Sequence, residues 1–157
     1  MISIKKINLN KNNFYYYFKI IFKFRNNKEY LKLNQIKKVV KVESISWLKK
    51  NMKNRFFFII KLNNLNVGLF NFDKLNKTWS QVILKKYRRK NIGFISAVKL
   101  SKKLNKMGFK KLTTYASKKN VPSFKIHSKL SYKKKIFKQK KNFYMFSIAT
   151  NKKFKSL

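Results

Sequence analysis

Ile2 to Leu9 alternate apolar and polar side chains, the two-residue period of a strand with one covered face. Asn12 and Asn13 then precede a stretch dense in Phe, Tyr and Ile that runs to Phe24. Asparagine just ahead of such a run signals a helix N-cap. Residues 27–40 carry no clear period and predict a loop with a short helix. Glu43 to Met52 return to helical spacing, with Trp47 and Leu48 expected on the inner side. The period then changes. Phe56-Phe57-Phe58-Ile59-Ile60 is unbroken apolar sequence, as in a strand covered on both faces. Asn63-Asn64 marks a turn, Asn66 to Phe72 a second strand containing Gly68, and Thr78 to Leu84 a third beyond Asp73–Lys77. The three predict an antiparallel meander.

Gly93 to Met107 is the clearest helix. Gly93, Ala97, Leu100, Leu104 and Met107 share one side, while Lys99, Lys102, Lys103 and Lys106 follow helical spacing on another. Gly108 stands just past its end, where a C-cap glycine belongs. Lys111 to Ala116 predicts a strand, Val121 to Leu130 a short helix, and Ile136–Phe137 with Phe143 to Ile148 a closing hairpin. The sum is a single α/β domain over residues 1–148 with a basic tail, 149–157, and no internal repeat.

Charge changes the picture. Forty-two lysines and arginines face Glu29, Glu43 and Asp73, a formal net charge of +39. Self-repulsion on that scale weakens a compact state unless a polyanion supplies counter-charge, and nucleic acid is the expected one. AT-rich coding would inflate lysine, but it would inflate glutamate too, and glutamate occurs twice. A hydrophobic share of 44% excludes a disordered basic tail. Arg25, Arg55, Arg88 and Arg89 are the only arginines, which favours recognition of backbone and shape over base edges. The candidate RNA-binding cations are Lys99, Lys102, Lys103 and Lys106, then Lys133, Lys134, Lys135, Lys138, Lys140 and Lys141, and finally Lys152, Lys153 and Lys155. Phe137, Phe143, Tyr144 and Phe154 lie among these charges. Phe143 and Phe146 read as core, whereas Phe154 is the better candidate for stacking on bases.

Absent chemistry bounds the rest. There is no cysteine, so no disulfide partner and no thiolate site. One histidine and three carboxylates leave almost nothing for a metal site, and none is expected. The longest apolar stretch, Phe14 to Phe24, contains Lys19 and Lys23 and is too short to span a bilayer. The first 28 residues are basic and acid-free, faintly like a transit peptide, but Arg25 is their only arginine.

The segment Tyr87-Arg88-Arg89-Lys90-Asn91-Ile92-Gly93, between a strand and a helix, is the one candidate phosphate cradle, since N–H groups at a helix start favour an anion. By itself such a turn is as readily a solvated connector. Downstream, Asn120-Val121-Pro122-Ser123 leads through His127 to Lys129-Leu130-Ser131-Tyr132. This resembles the GNAT acetyltransferase motif in which an asparagine, a small residue, an aromatic and K-L-G-F follow one another at that spacing. The earlier turn resembles the same superfamily's acetyl-CoA pyrophosphate loop, R-x-x-G-x-G, with Arg88 and Gly93 in register. Phe24-Arg25-Asn26 looks like a W-R-N motif and Glu43-Ser44-Ile45-Ser46-Trp47-Leu48 like E-H-x-x-W-L. Both belong to the branch with ribosomal-protein and amino-sugar N-acetyltransferases.

The resemblance implies a mixed, mostly antiparallel central sheet flanked by helices. It implies cofactor contacts at Arg88, Arg89, Lys90, Asn91, Ile92, Gly93 and Asn120 if acetyl-CoA is bound. The departures matter. Arg89 and Asn91 stand where glycine is usual, Ser44 replaces a histidine, and Ser131 and Tyr132 replace the glycine and phenylalanine of K-L-G-F. His127 occupies the position of the family's acid tyrosine and could serve as general acid. Alternatively it is a histidine packed between helix and sheet. No general base stands out.

The leading expectation is therefore a structural, rRNA-binding component of a mitochondrial ribosome, organelle-encoded, built on a degenerate acetyltransferase fold and without need of a cofactor. Its partners would be ribosomal RNA and neighbouring ribosomal proteins. The alternative is an active acetyl-CoA-dependent N-acetyltransferase acting on a protein N-terminus, a lysine or an amino sugar. For location, the alternative is the cytoplasm of a bacterium with a reduced AT-rich genome.

Overall fold

The computed structural model describes residues 1–34, 37–137 and 142–151. Lys138, Lys140, Lys141, Lys152, Lys153, Lys155 and Phe154 lie outside the described residues. Among the described residues, seven strands form one sheet: β1 (Ile2–Ile7), β2 (Arg55–Leu62), β3 (Leu65–Asp73), β4 (Thr78–Ile83), β5 (Lys111–Ser117), β6 (Lys133–Ile136) and β7 (Phe143–Ala149). Their order is β1-β2-β3-β4-β5-β7-β6, antiparallel everywhere except between β4 and β5. Helices α4 (Ile92–Lys106) and α5 (Val121–Leu130) cover one face, while α1 (Phe14–Arg25) and α3 (Lys41–Asn51) cover the other. A short α2 (Lys28–Asn34) joins α1 to α3.

The unbroken apolar run in β2 follows from this sandwiching. Phe58 and Ile60 enter the core under α4 and α5, and Phe57 and Ile59 enter the core under α1 and α3. With both faces covered, no position on the strand needs to be polar. Asn63 and Asn64 have φ of 45° and 68°, the left-handed pair that a two-residue hairpin turn requires.

Helix ends follow local chemistry. Gly108 has φ of 91°, and the N–H groups of Gly108 and Phe109 donate to the carbonyls of Asn105 and Leu104. These two bonds close the α4 C-terminus as a Schellman motif. Asn13 sits at the N-cap of α1, yet its side chain makes no cap bond. It exchanges side-chain-to-backbone hydrogen bonds with Asn10, 3.0 Å each, and donates to the Asn8 carbonyl, so it shapes the connection instead.

Two expectations need correction. Leu48 is buried, but Trp47 is 42% exposed. Neighbouring residues on a helix differ by about 100°, so with Leu48 aimed at the sheet Trp47 falls on the flank. The first strand of the closing hairpin begins at Lys133 and ends at Ile136. Three lysines in succession carry no apolar alternation to announce it. Among the described residues, no helix is long and apolar enough to cross a membrane.

Candidate functional site

The one parallel junction in the sheet is almost unmade. β4 and β5 pair only at Thr78–Thr113 and Trp79–Thr114, with the Thr113 N–H donating to the Lys77 carbonyl at 2.9 Å. Beyond Trp79 the strands part. The Leu84 N–H bonds the Val67 carbonyl, so by antiparallel alternation Ser80 and Val82 spend their backbone groups on β3. The backbone groups of Gln81 and Ile83, beyond the last paired residue Trp79, therefore face the gap. The Trp79 carbonyl accepts from the Thr114 hydroxyl at 3.1 Å and the Ile83 carbonyl from Arg88 Nε at 3.0 Å. The rest is an open polar edge at the carboxyl end of a parallel pair.

The 88–93 turn hangs over that end. Arg89 and Asn91 have φ of 62° and 53°, so the chain keeps the left-handed conformations glycine adopts freely, although both glycines are absent. Asparagine tolerates this conformation, whereas arginine does so at a cost of about 1–2 kcal/mol. Arg89 and Lys90 are exposed. Arg88 is not free: besides its bond to Ile83 it pairs with Glu29, which also lies 3.4 Å from Lys85. Helix α4 starts with no acidic residue and no side-chain cap, leaving its first N–H groups for an anion. Ile92 is buried. A Cβ on Gly93 would lie 2.8 Å from Ile126 Cδ1, so this glycine lets α4 approach α5.

Asn120 is the N-cap of α5, its Oδ1 accepting from the Ser123 N–H at 3.4 Å. His127 lies on the same helix, 4% exposed, where β4 and β5 diverge. Its ring sits 5.4 Å from Trp79 and 5.7 Å from Phe146. Nε2 is 3.4 Å from the Thr114 hydroxyl, whose proton already goes to Trp79. Nε2 therefore carries the hydrogen, and Nδ1 is a buried acceptor with no partner. Burial depresses the imidazole pKa to about 4, so the ring is uncharged near neutrality.

A cavity of about 590 Å³ opens on the opposite face, between α1, α3 and strands β2 to β4. Phe57, Asn71 and Ser80 are cross-strand neighbours on its floor. Arg55 in its wall donates to Asp73 at 2.8 Å and to Asn71 at 3.3 Å, with its guanidinium 5.0 Å above the Trp47 ring. Burial would raise the Asp73 pKa, but hydrogen bonds from Asn76 and Leu75 and the Arg55 charge together hold it below the usual carboxylate value. Arg25 Nη1 and Ser44 Oγ, both on lining residues, are buried without a partner among the described residues. No local sequence pattern announces this cavity. Arg25 and Ser44 drew attention only as motif positions.

By sequence, the chain matches no family model and no curated protein. Its backbone is similar to many solved structures. A domain from Methanocaldococcus jannaschii superposes with a TM-score of 0.73 at 23% identity, covering 95% of this chain and 99% of that one. Spermidine N-acetyltransferase from Vibrio cholerae, solved with CoA and spermine, gives 0.70 at 9% identity, covering 94% and 95%. A GNAT-family acetyltransferase from Bacillus anthracis gives 0.68 at 18% identity, covering 96% of each. The chain has the GNAT fold.

Within the GNAT fold, the crevice and turn can be tested against acetyl-CoA. Exposed Arg89 and Lys90, left-handed backbone and uncapped helix N–H groups suit a pyrophosphate; the side chains of Arg89 and Asn91 crowd it, and Arg88 is engaged elsewhere. The residues fit the group, less openly than glycines would. Among the described residues, no group of His, Cys, Asp and Glu gathers to hold a metal.

The candidate RNA-binding lysines fall into two places. On α4, Lys102 and Lys106 are exposed and Lys103 is half-buried, while Lys99 Nζ donates to the Ile2 carbonyl of β1 at 2.6 Å. Lys133, Lys134 and Lys135 are exposed on β6, at the other edge of the sheet. Lys134 Nζ lies 5.3 Å and 5.5 Å from the Phe124 and Tyr144 ring centres. Charge on an edge strand also blocks unwanted strand pairing. Phe137 packs on Tyr115 with ring centres 4.7 Å apart, and Phe143 and Phe146 are buried.

Proposed function

We propose that this chain is an acetyl-CoA-dependent N-acetyltransferase. The observation that carries the reading is the parting of β4 from β5 beneath a phosphate-shaped turn that keeps its left-handed backbone without its glycines. Arg89, Lys90 and the α4 N–H groups would hold the phosphates, and the open edge of β4 would align the pantetheine arm. Acetyl-CoA would supply a thioester-activated acetyl group, its C–S bond exchanged for the amide C–N bond and its thiolate released to take a proton from water. The cavity across the sheet receives the amine, and Glu43 is the carboxylate in its lining able to take the proton the amine must lose. His127 is uncharged and enclosed, so its role is to pack and brace the divergence of the strands.

The test is direct. Acetyl-CoA should protect the Gly93 and Asn120 amides from hydrogen exchange, and a panel of amines should show turnover. Indifference to acetyl-CoA in both assays removes the reading.

A second reading draws on the +39 charge: a mitochondrial, ribosome-associated protein whose lysines neutralise rRNA phosphates beside neighbouring ribosomal proteins. It is compatible with residual activity. Neutralising Lys133, Lys134 and Lys135 should then flatten the salt dependence of RNA affinity by roughly one unit per lost contact. An unchanged slope, or failure to co-sediment with ribosomal particles at low salt, ends that reading.

A further inference from the structure

Resting on the acetyltransferase reading, we infer that the cavity between α1, α3 and the sheet selects an amine that also carries a carboxylate on an apolar body. The chain has three acidic side chains. Asp73 is held by Arg55 and Asn76. Glu29 is held by Arg88 and Lys85, at the far side of the phosphate turn. Glu43 is exposed and makes no ion pair among the described residues. Arg25, in the last turn of α1, therefore brings a guanidinium to the cavity wall with no carboxylate bound to it among the described residues.

A buried donor on a charged group without a partner is costly, and native structures rarely tolerate one. Among the described residues, Nη1 of Arg25 is such a donor and the Ser44 hydroxyl another, both on residues that line the cavity. Two orphaned donors on neighbouring lining residues point to a wall where an acceptor group from outside would find partners after a small side-chain adjustment. A guanidinium fork matches the two oxygens of a carboxylate. The walls are Phe18, Ile21, Phe22, Leu69 and Val82, which suit an apolar body better than a heavily hydrated dianion such as phosphate. Arg55 adds a second cation to the wall, though one already neutralised by Asp73. A polyamine, the ligand recorded with the spermidine enzyme of the same fold, would meet two guanidinium groups and one carboxylate. This chain's cavity has the opposite preference.

Trp47 lines the cavity while the other tryptophan, Trp79, is buried on the opposite face, so Trp47 fluorescence reports occupancy independently of turnover. Phenylalanine should titrate the Trp47 signal saturably in the intact protein. Phenylalaninamide, which keeps the amine and loses the charge, should bind at least tenfold more weakly. R25M should bring phenylalanine to the amide's level. Equal affinity for the two ligands in the unaltered protein overturns the inference even if R25M proves unstable. So does acetylation of phenethylamine and phenylalanine with equal kcat/KM, an outcome that leaves the acetyltransferase reading standing. Selective binding of phenylalanine with no acetyl transfer to any amine supports the cavity assignment and sinks the enzyme reading instead.

Discussion

The two faces of the sheet are built from alternate residues of the same strands and have become different kinds of surface. Under α4 and α5, Phe58, Ile60, Phe70, Phe72, Leu100 and Leu104 are sealed from solvent. Under α1 and α3, Phe57, Ile59, Leu69 and Val82 are also buried, but the helices stop short of closing over them. The row across three strands shows why. On the sealed face, Phe56, Phe72 and Trp79 are neighbours; one step along, on the open face, the row reads Phe57, Asn71 and Ser80. Two polar side chains in the middle of a sheet leave room and hydrogen-bonding capacity that a helix cannot fill with apolar groups. One face supplies cohesion and the other supplies a place to bind.

The largest effect that could break this contrast is a truncation on each face. Leu100→Ala should cost about 2–5 kcal/mol in urea denaturation, because a sealed helix–sheet contact leaves a void. Phe22→Ala, on the partly exposed wall of the cavity, should cost clearly less, since its ring already borders open space. Equal losses would mean the open face is as tightly packed as the closed one.

Acid should separate the faces next. His127 belongs to the sealed side, with its pKa lowered from 6.5 to about 4. Below pH 6.5 the unfolded chain takes up a proton that the folded chain refuses. Stability is therefore complete above pH 6.5 and falls as pH drops towards 4, by about 3 kcal/mol in all. His127→Phe should remove most of that slope between pH 7 and 4. With only three carboxylates in the chain, little else titrates in the window. A variant with an undiminished slope would show that the ring is not the source.

A smaller effect sharpens the assignment of the crevice. Arg89→Gly should relieve the left-handed strain and raise stability by about 0.5–1 kcal/mol, after allowing for the greater freedom glycine has when unfolded. It should also tighten acetyl-CoA binding by clearing the approach to the turn. Weaker binding would make the Arg89 side chain a ligand contact worth more than the space it occupies.

Most elements were legible because their signals are local. The strand periods, the Asn63-Asn64 turn, the lysine and leucine faces of α4 and its Gly108 stop each depend on residues a few positions apart. The order of the Arg88–Gly93 and Asn120–Tyr132 motifs was enough to suggest the GNAT fold for the same reason. Trp47 sits on the flank of α3 at the cavity's edge, against Arg55 of β2, because a short helix with a weak apolar face does not fix its own rotation.

By itself, then, the sequence determined the elements, the sealed core and the excess of positive charge, since these follow from period and composition. The tertiary structure alone decided the rest. It brought Glu29 to Arg88 across the chain, left Arg89 in a conformation arginine gives no hint of adopting, and gathered Arg25, Ser44, Asn71 and Ser80 around one cavity. Each of these depends on groups distant in sequence, and no local pattern encodes which of them will find a partner and which will be left without one.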